Sequence, residues 1–273
     1  MKLIPLVLTL LTVGLSSGGC SIFNQSTAER RMDVQFAAVS VLEVQSFNGG
    51  ITVQVDPSAT ELRVEAKVRA GGGSLEEASR RAEQVEISIS DGEMGGQRVE
   101  PVFPGVRRMG DGCSLAIVTP PISHLKIYTS NGSIGLDSVS CEADVRTSNG
   151  PVTINGQEGP LTVKTSNGRV EVLRMNDAPA DVHTSNGSIR FEVESGTSQP
   201  FNLHTSNGSV RILLPNSPGG SIHARTSNGS IHLKGAASER QGEEKDCTFV
   251  FDQPGPASEV RTSNGSIVIE VPQ

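Results

Sequence analysis

Six basic side chains recur one residue ahead of a repeated Thr-Ser-Asn-Gly: Arg146, Lys164, His183, His204, Arg225 and Arg261, with Tyr128 in the same place before the earliest copy. If the repeats stack, these side chains form one column of cations a strand apart. Such a column repels itself unless counter-charges or a bound anion relieve it. Asp144, Asp181 and Glu259 stand two residues earlier on the same face. Two readings are open. One is a solvated, ion-paired face, because exposed pairs contribute little and are common; the other is an anion-binding stripe on an otherwise acidic chain.

Other chemistry is sparse. His183 and His204 should be neighbours, but no third ligand accompanies them and cations flank them, so the expectation is no metal and no cofactor. Asp137, Glu171, Glu192 and Glu270 alternate outward, where charge is ordinary, and Glu171 is expected to pair with Arg190 on the next coil. No clustered carboxylates of the kind that cleave polysaccharides can be nominated, so no catalytic residue is assigned and the chain is read as a non-enzyme. With no Trp and one Tyr, sugar stacking has little to work with. A formal charge of −7 argues against nucleic acid as a partner. The four cysteines lack any C-x-x-C pair. If a disulfide exists, the expected pair is Cys113 with Cys141, since Cys247 should lie several coils away.

The first twenty residues carry Lys2, an apolar run from Leu3 to Leu15, and small residues ending at Cys20. This reads as a secretion leader, too short to span a bilayer comfortably. The cysteine after small residues resembles a bacterial lipobox, although Ser17 stands where such boxes usually carry Leu. Cys20 is therefore the expected lipidation site. Residues 21–31 are polar and read as a tether.

A fixed period dictates the elements that must position the basic column. Thr-Ser-Asn-Gly begins at Thr129, Thr147, Thr165, Thr184, Thr205, Thr226 and Thr262, with a degenerate Ser46-Phe47-Asn48-Gly49 upstream. Apolar residues alternate on both sides of each copy, and their parity flips across it: Leu161, Val163 and Thr165 are odd, Val170 and Val172 even. The chain must bend there. The expected corners are Asn131-Gly132, Asn149-Gly150, Asn167-Gly168, Asn186-Gly187, Asn207-Gly208, Asn228-Gly229 and Asn264-Gly265, with Gly supplying positive φ and Thr turning inward. Each unit is too small to bury its own apolar face, so stacking is required.

The fold class expected is all-β: a β-solenoid, or β-helix, of about seven or eight strand-corner-strand coils. A sandwich of hairpins turning at Asn-Gly is the rival. Residues 128–273 hold the repeats, with an insertion at 235–256 expected to fold across the open end of the last coil. Residues 32–127 are read as a cap and first coils. They include a short helix opened by the capping box Ser74-Leu75-Glu76-Glu77, with Leu75, Ala78 and Ala82 on its buried face. The stretch from Asp91 to Gly112 reads as an irregular loop.

The leader, the degenerate first unit, the capped helix, the strand ending at Pro120-Pro121 and the Thr-Ser-Asn-Gly series together resemble a bacterial "putative adhesin" family of β-strand-repeat domains, over roughly residues 35–271. That resemblance implies an exported surface protein and no particular ligand. The functional expectation is a non-enzymatic envelope lipoprotein, in the outer membrane or at the cell surface, that presents a solenoid for adhesion or ligand binding. It would hold the membrane by a lipid anchor and meet an anionic surface polymer. The alternatives are a module docking another envelope protein, and a polysaccharide-processing β-helix enzyme.

Overall fold

The computed structural model describes Leu8–Leu10, residues 26–196 and residues 198–272. Cys20 and most of the leader lie outside the described residues. The chain divides into two compact units, Met1–Gly132 and Ser133–Gln273. The first full Thr-Ser-Asn-Gly therefore belongs to the first unit, rather than opening the second as the boundary after residue 127 would have it.

The first unit holds β1 (Leu8–Leu10), β2 (Ser26–Ala37), β3 (Val41–Ser46), β4 (Ile51–Val55), β5 (Glu61–Gly72), α1 (Leu75–Glu83), β6 (Glu86–Asp91), β7 (Gln97–Val102), β8 (Gly112–Thr119) and β9 (His124–Asn131). β1 lies antiparallel on β2, Leu8 opposite Asp33. β2 pairs antiparallel with β5 from Ser26↔Gly72 to Ala37↔Glu61, and β5 with β8. β4 joins β8, and β3 joins both β7 and β9, in parallel.

Residues 26–31 are thus strand, which corrects the tether reading. Their polarity misled because Arg30, an inward position between Ala28 and Met32, is buried with them. Its Nη1 donates to the carbonyls of Ala82 (3.3 Å), Glu83 (2.5 Å) and Val85 (3.2 Å), at and just past the end of α1, where a cation suits the helix dipole.

The helix starts close to a capping box: Glu77 N donates to Ser74 Oγ (3.1 Å), but Glu77 Oε2 accepts from Gly73 N (2.8 Å), one residue before the N-cap. Its buried face differs from the expected one. Leu75 is 37% exposed, and Ala78, Arg81 and Ala82 face inward. The expected loop after Asp91 contains a 3-10 turn at Glu93–Gly95 and β7, which pairs with β3 and β6. The segment between β7 and β8 is held by Asp111, fully buried, whose carboxylate meets Arg81 Nη1 (3.1 Å) and Nη2 (2.9 Å) and accepts from the backbone N–H of Gly71 (2.9 Å) and Arg108 (2.8 Å).

The second unit contains β10 (Ile134–Val139), β11 (Glu142–Asn149), β12 (Val152–Gln157), β13 (Leu161–Asn167), β14 (Val170–Met175), β15 (Ala180–Asn186), β16 (Ile189–Val193), β17 (Phe201–Asn207), β18 (Val210–Leu213), β19 (Gly219–Asn228), β20 (Ile231–Lys234), β21 (Glu239–Gly242), β22 (Asp246–Val250), β23 (Gln253–Asn264) and β24 (Ile267–Glu270). Strands on either side of each Asn-Gly belong to different sheets, so the corner does not make a hairpin. One sheet runs β10-β12-β14-β16-β18-β24-β20 and the other β11-β13-β15-β17-β23-β19-β22-β21. The repeat strands are parallel and in register, Thr on Thr and Asn on Asn. Between the sheets lie columns such as Val152, Val170, Ile189, Val210 and Ile267, all essentially inaccessible. The described residues are all-β apart from α1 and the short 3-10 turn.

Chain order and stacking order part company near the end. The coil formed by β23 and β24 does not follow β19 and β20; it lies between them and β17 and β18. The insertion covers an edge, as expected, but the coil it covers is a different one: β22 pairs antiparallel with β19, Ala224 opposite Cys247, and β21 pairs with β22. Because the repeats share one pattern, sequence period alone says nothing about which coil adjoins which.

Candidate functional site

The corners form the frame. Asn side chains hydrogen-bond up the stack: Asn167 Nδ2 to Asn149 Oδ1 (2.8 Å), Asn186 to Asn167 (2.9 Å), Asn207 to Asn186 (2.8 Å), Asn264 to Asn207 (2.8 Å) and Asn228 to Asn264 (2.9 Å). In the first unit Asn131 bonds Asn48 likewise (2.7 Å). Thr hydroxyls turn inward, and those of Thr129, Thr184, Thr205, Thr226 and Thr262 donate to the corner Gly carbonyl of an adjacent coil, as from Thr205 to Gly187 (2.8 Å) and Thr262 to Gly208 (2.9 Å), whereas the buried Thr165 hydroxyl has no partner among the described residues. The glycines at 132, 168, 187, 208, 229 and 265 serve close approach rather than positive φ. A Cβ on Gly187 would lie 2.0 Å from the Gly168 carbonyl oxygen, and one on Gly208 2.1 Å from that of Gly187.

On this frame the basic residues fall into one column. Cα partners run Arg146, Lys164, His183, His204, Arg261, Arg225. Intercalation of the last repeat places Arg261 directly beside His204 and moves Arg225 to the end. Arg146 is held by Asp144 through a two-point contact (3.0 and 2.8 Å). Arg225 lies 3.6 Å from Asp246 on β22, which also shares a 2.7 Å hydrogen bond with His223. That bond to His223, with Arg225 nearby, holds the Asp246 carboxyl below its usual range. The middle four, Lys164, His183, His204 and Arg261, make no ion pair among the described residues. The imidazoles of His183 and His204 pack edge to face, 4.7 Å apart. Partial burial, then the charges of His183 and Arg261, lower the pKa of His204, against opposing pulls from Glu259 and Asp181.

A serine row, Ser166, Ser185, Ser206 and Ser263, shares this face by the same alternation, in keeping with the polar ladders of Thr, Ser and Asn that stacked repeats imply. Asp246 was missed, since nothing in the repeat sets the register of the insertion. On the opposite sheet, Glu171 and Arg190 are Cα partners, but their ion pairs run along their own strands, Arg169 to Glu171 (3.4 Å) and Arg190 to Glu192 (3.6 Å). Among the described residues no group of three or more His, Cys, Asp or Glu gathers as a metal site. Cys113, Cys141 and Cys247 are buried free thiols, and burial pushes Cys113 up to about 12 and Cys141 to about 11. A cleft of about 420 Å³ opens beside β20, lined by Ile231, Leu233 and Phe249 with His232, Glu239 and Arg240.

The Toastrack DUF4097 family description matches residues 11–270. The chain belongs to that family. Solved structures similar to this Toastrack chain include a "putative adhesin" from Bacteroides fragilis (12% identity, TM-score 0.47, 90% of this chain and 96% of that one). Another is a "putative adhesin" from Parabacteroides distasonis (11%, 0.47, 90% and 97%), and a third a "putative cell adhesion protein" from Clostridium sporogenes (14%, 0.37, 90% and 99%). No curated protein matches.

Proposed function

We propose that this chain is a non-enzymatic, exported envelope lipoprotein, anchored through Cys20 at the outer membrane or cell surface, whose repeats form a β-solenoid of about seven or eight coils that binds an anionic surface polymer. The observation that carries the reading is the unbroken basic column, four of whose members hold no counter-ion among the described residues. Adjacent strands are about 4.8 Å apart, so the column offers evenly spaced donors to a linear polyanion, with Lys164 and Arg261 as its cations and His204, whose pKa is lowered, gaining charge only on acidification. Serines on the same face add hydroxyl donors.

Long-chain polyphosphate is a suitable probe. The full chain is expected to bind it at low salt, to lose affinity as salt rises, and to lose binding in the Lys164→Ser/Arg261→Ser double variant with an unchanged circular dichroism spectrum. Both residues are exposed and carry no fold contact of note. The pH dependence follows the depressed His204: the gain in affinity on acidification comes below about 6.5, its unperturbed value, rather than at it. Equal polyphosphate binding by wild type and double variant removes the proposal. A second reading, docking of another envelope protein, is favoured by the cleft beside β20, whose outer edge has no strand partner among the described residues.

A further inference from the structure

The intercalated coil of residues 253–271 is built as a plug. Its two walls are β17 with β18 on one side and β19 with β20 on the other. Both walls share backbone bonds with it: Gly208 N to Asn264 O (3.0 Å), Val210 N to Ser266 O (3.0 Å), Gly265 N to Asn228 O (3.1 Å) and Ile267 N to Ser230 O (2.9 Å). Glu270 is gripped from both sides, by Arg211 Nη2 (2.7 Å) and Lys234 Nζ (2.7 Å). In the core, small Ser258 fits between Phe201 and Ile222 and accepts a hydrogen bond from Phe201 N (3.2 Å).

Paired directly in the repeat register, the walls would set Arg211 against His232 and Leu213 against Lys234, and would leave Arg211 and Lys234 without the Glu270 carboxylate that they share.

The plug is joined to the rest of the unit by a short crossing. β22 and β23 lie on opposite sides of β19, and only Phe251 and Asp252 separate them. There the chain hooks past Gly219 and Gly220: Phe251 N donates to Gly220 O (2.9 Å), Gly220 has φ +76°, and a Cβ on Gly220 would lie 2.1 Å from Pro256 O. A connection only two residues long is the kind that favours exchange of the element that it carries.

We propose that this slot is a strand-exchange site whose partner is a second copy of the chain: the coil 253–271 of one copy fills the slot of another, and reciprocal exchange closes a dimer. Every contact between plug and walls is remade with identical residues. Concentration therefore sets the balance between plug in place and plug exchanged.

Two full-length single variants, Arg211→Cys and Val268→Cys, test this, because the two positions are Cα partners across the slot. Arg211→Cys/Val268→Cys in one chain closes internally under mild oxidation and shows that the geometry permits the bond. The two single variants, warmed together through the unfolding transition and cooled, are expected to give a mixed disulfide dimer that increases with concentration and exceeds that of either alone. An independent readout reverses the charges. Glu270→Lys copies and Arg211→Glu/Lys234→Glu copies, mismatched by themselves, are expected to co-purify after the same treatment. Mixed disulfide no greater than in the single-variant controls, together with charge variants that stay apart, overturns the proposal.

Discussion

At the scale of single residues, the corner glycines show how the right position can be chosen for an incomplete reason. Asn-Gly suggested a backbone that only glycine adopts. Gly187 instead leaves room for the carbonyl of Gly168, 2.0 Å from where a Cβ would stand. The two reasons predict different outcomes. Under positive φ, β-branching makes Val much worse than Ala; under close approach the first carbon does the damage. Gly187→Ala is therefore expected to cost roughly 3 kcal/mol in denaturant unfolding, with Gly187→Val not much worse. An Ala variant within about 0.5 kcal/mol of wild type, the ordinary effect of a surface change, rejects the steric account. His204 has a stability consequence of its own. Its folded pKa is lowered, so the unfolded chain binds the proton more readily. The contribution is intact above about 6.5 and is lost as pH falls from there through the folded value.

At the scale of elements, α1 and the segment before β8 depend on a single buried pair. Arg81 and Asp111 have side chains 7% and 0% exposed, and Arg81 also donates to the carbonyls of Gly71 (2.6 Å), Pro104 (3.4 Å) and Val106 (3.3 Å). Removing one partner strands the other charge away from water. Asp111→Ala is expected to destabilise the first unit by about 3–5 kcal/mol, measured by urea unfolding, whereas Arg108→Ala at the exposed Glu77 pair should cost less than about 1 kcal/mol. The sequence displayed the repeat strands clearly, because parity and corner residues are local signals that tertiary context reinforces. It hid β2 and the inward face of α1. Arg30 and Arg81 look like surface residues until their carbonyl and carboxylate partners are brought in from 10 to 55 positions away. The basic column could be aligned from spacing, but its order could not, since every coil offers the same Thr and Asn to its neighbour.

At the scale of the whole molecule, anchoring and assembly are separate questions. Labelled palmitate is expected to enter the protein at Cys20 and to be absent from Cys20→Ser; export without label in wild type would replace the lipoprotein reading with simple secretion. The intercalated coil bears on how the molecule is made. Synthesis runs from the amino end, so β17 to β20 exist before residues 253–271 leave the ribosome. During that interval two sheet edges face a gap one strand wide, with Arg211 and Lys234 lacking their shared carboxylate and Phe201 lacking its small neighbour. Until then both edges hold unpaired backbone groups open to any strand that meets them. Completion of the second unit therefore waits for residues 253–271, and a chain stalled short of residue 253 presents the quality-control proteases with an open seam in place of a finished fold.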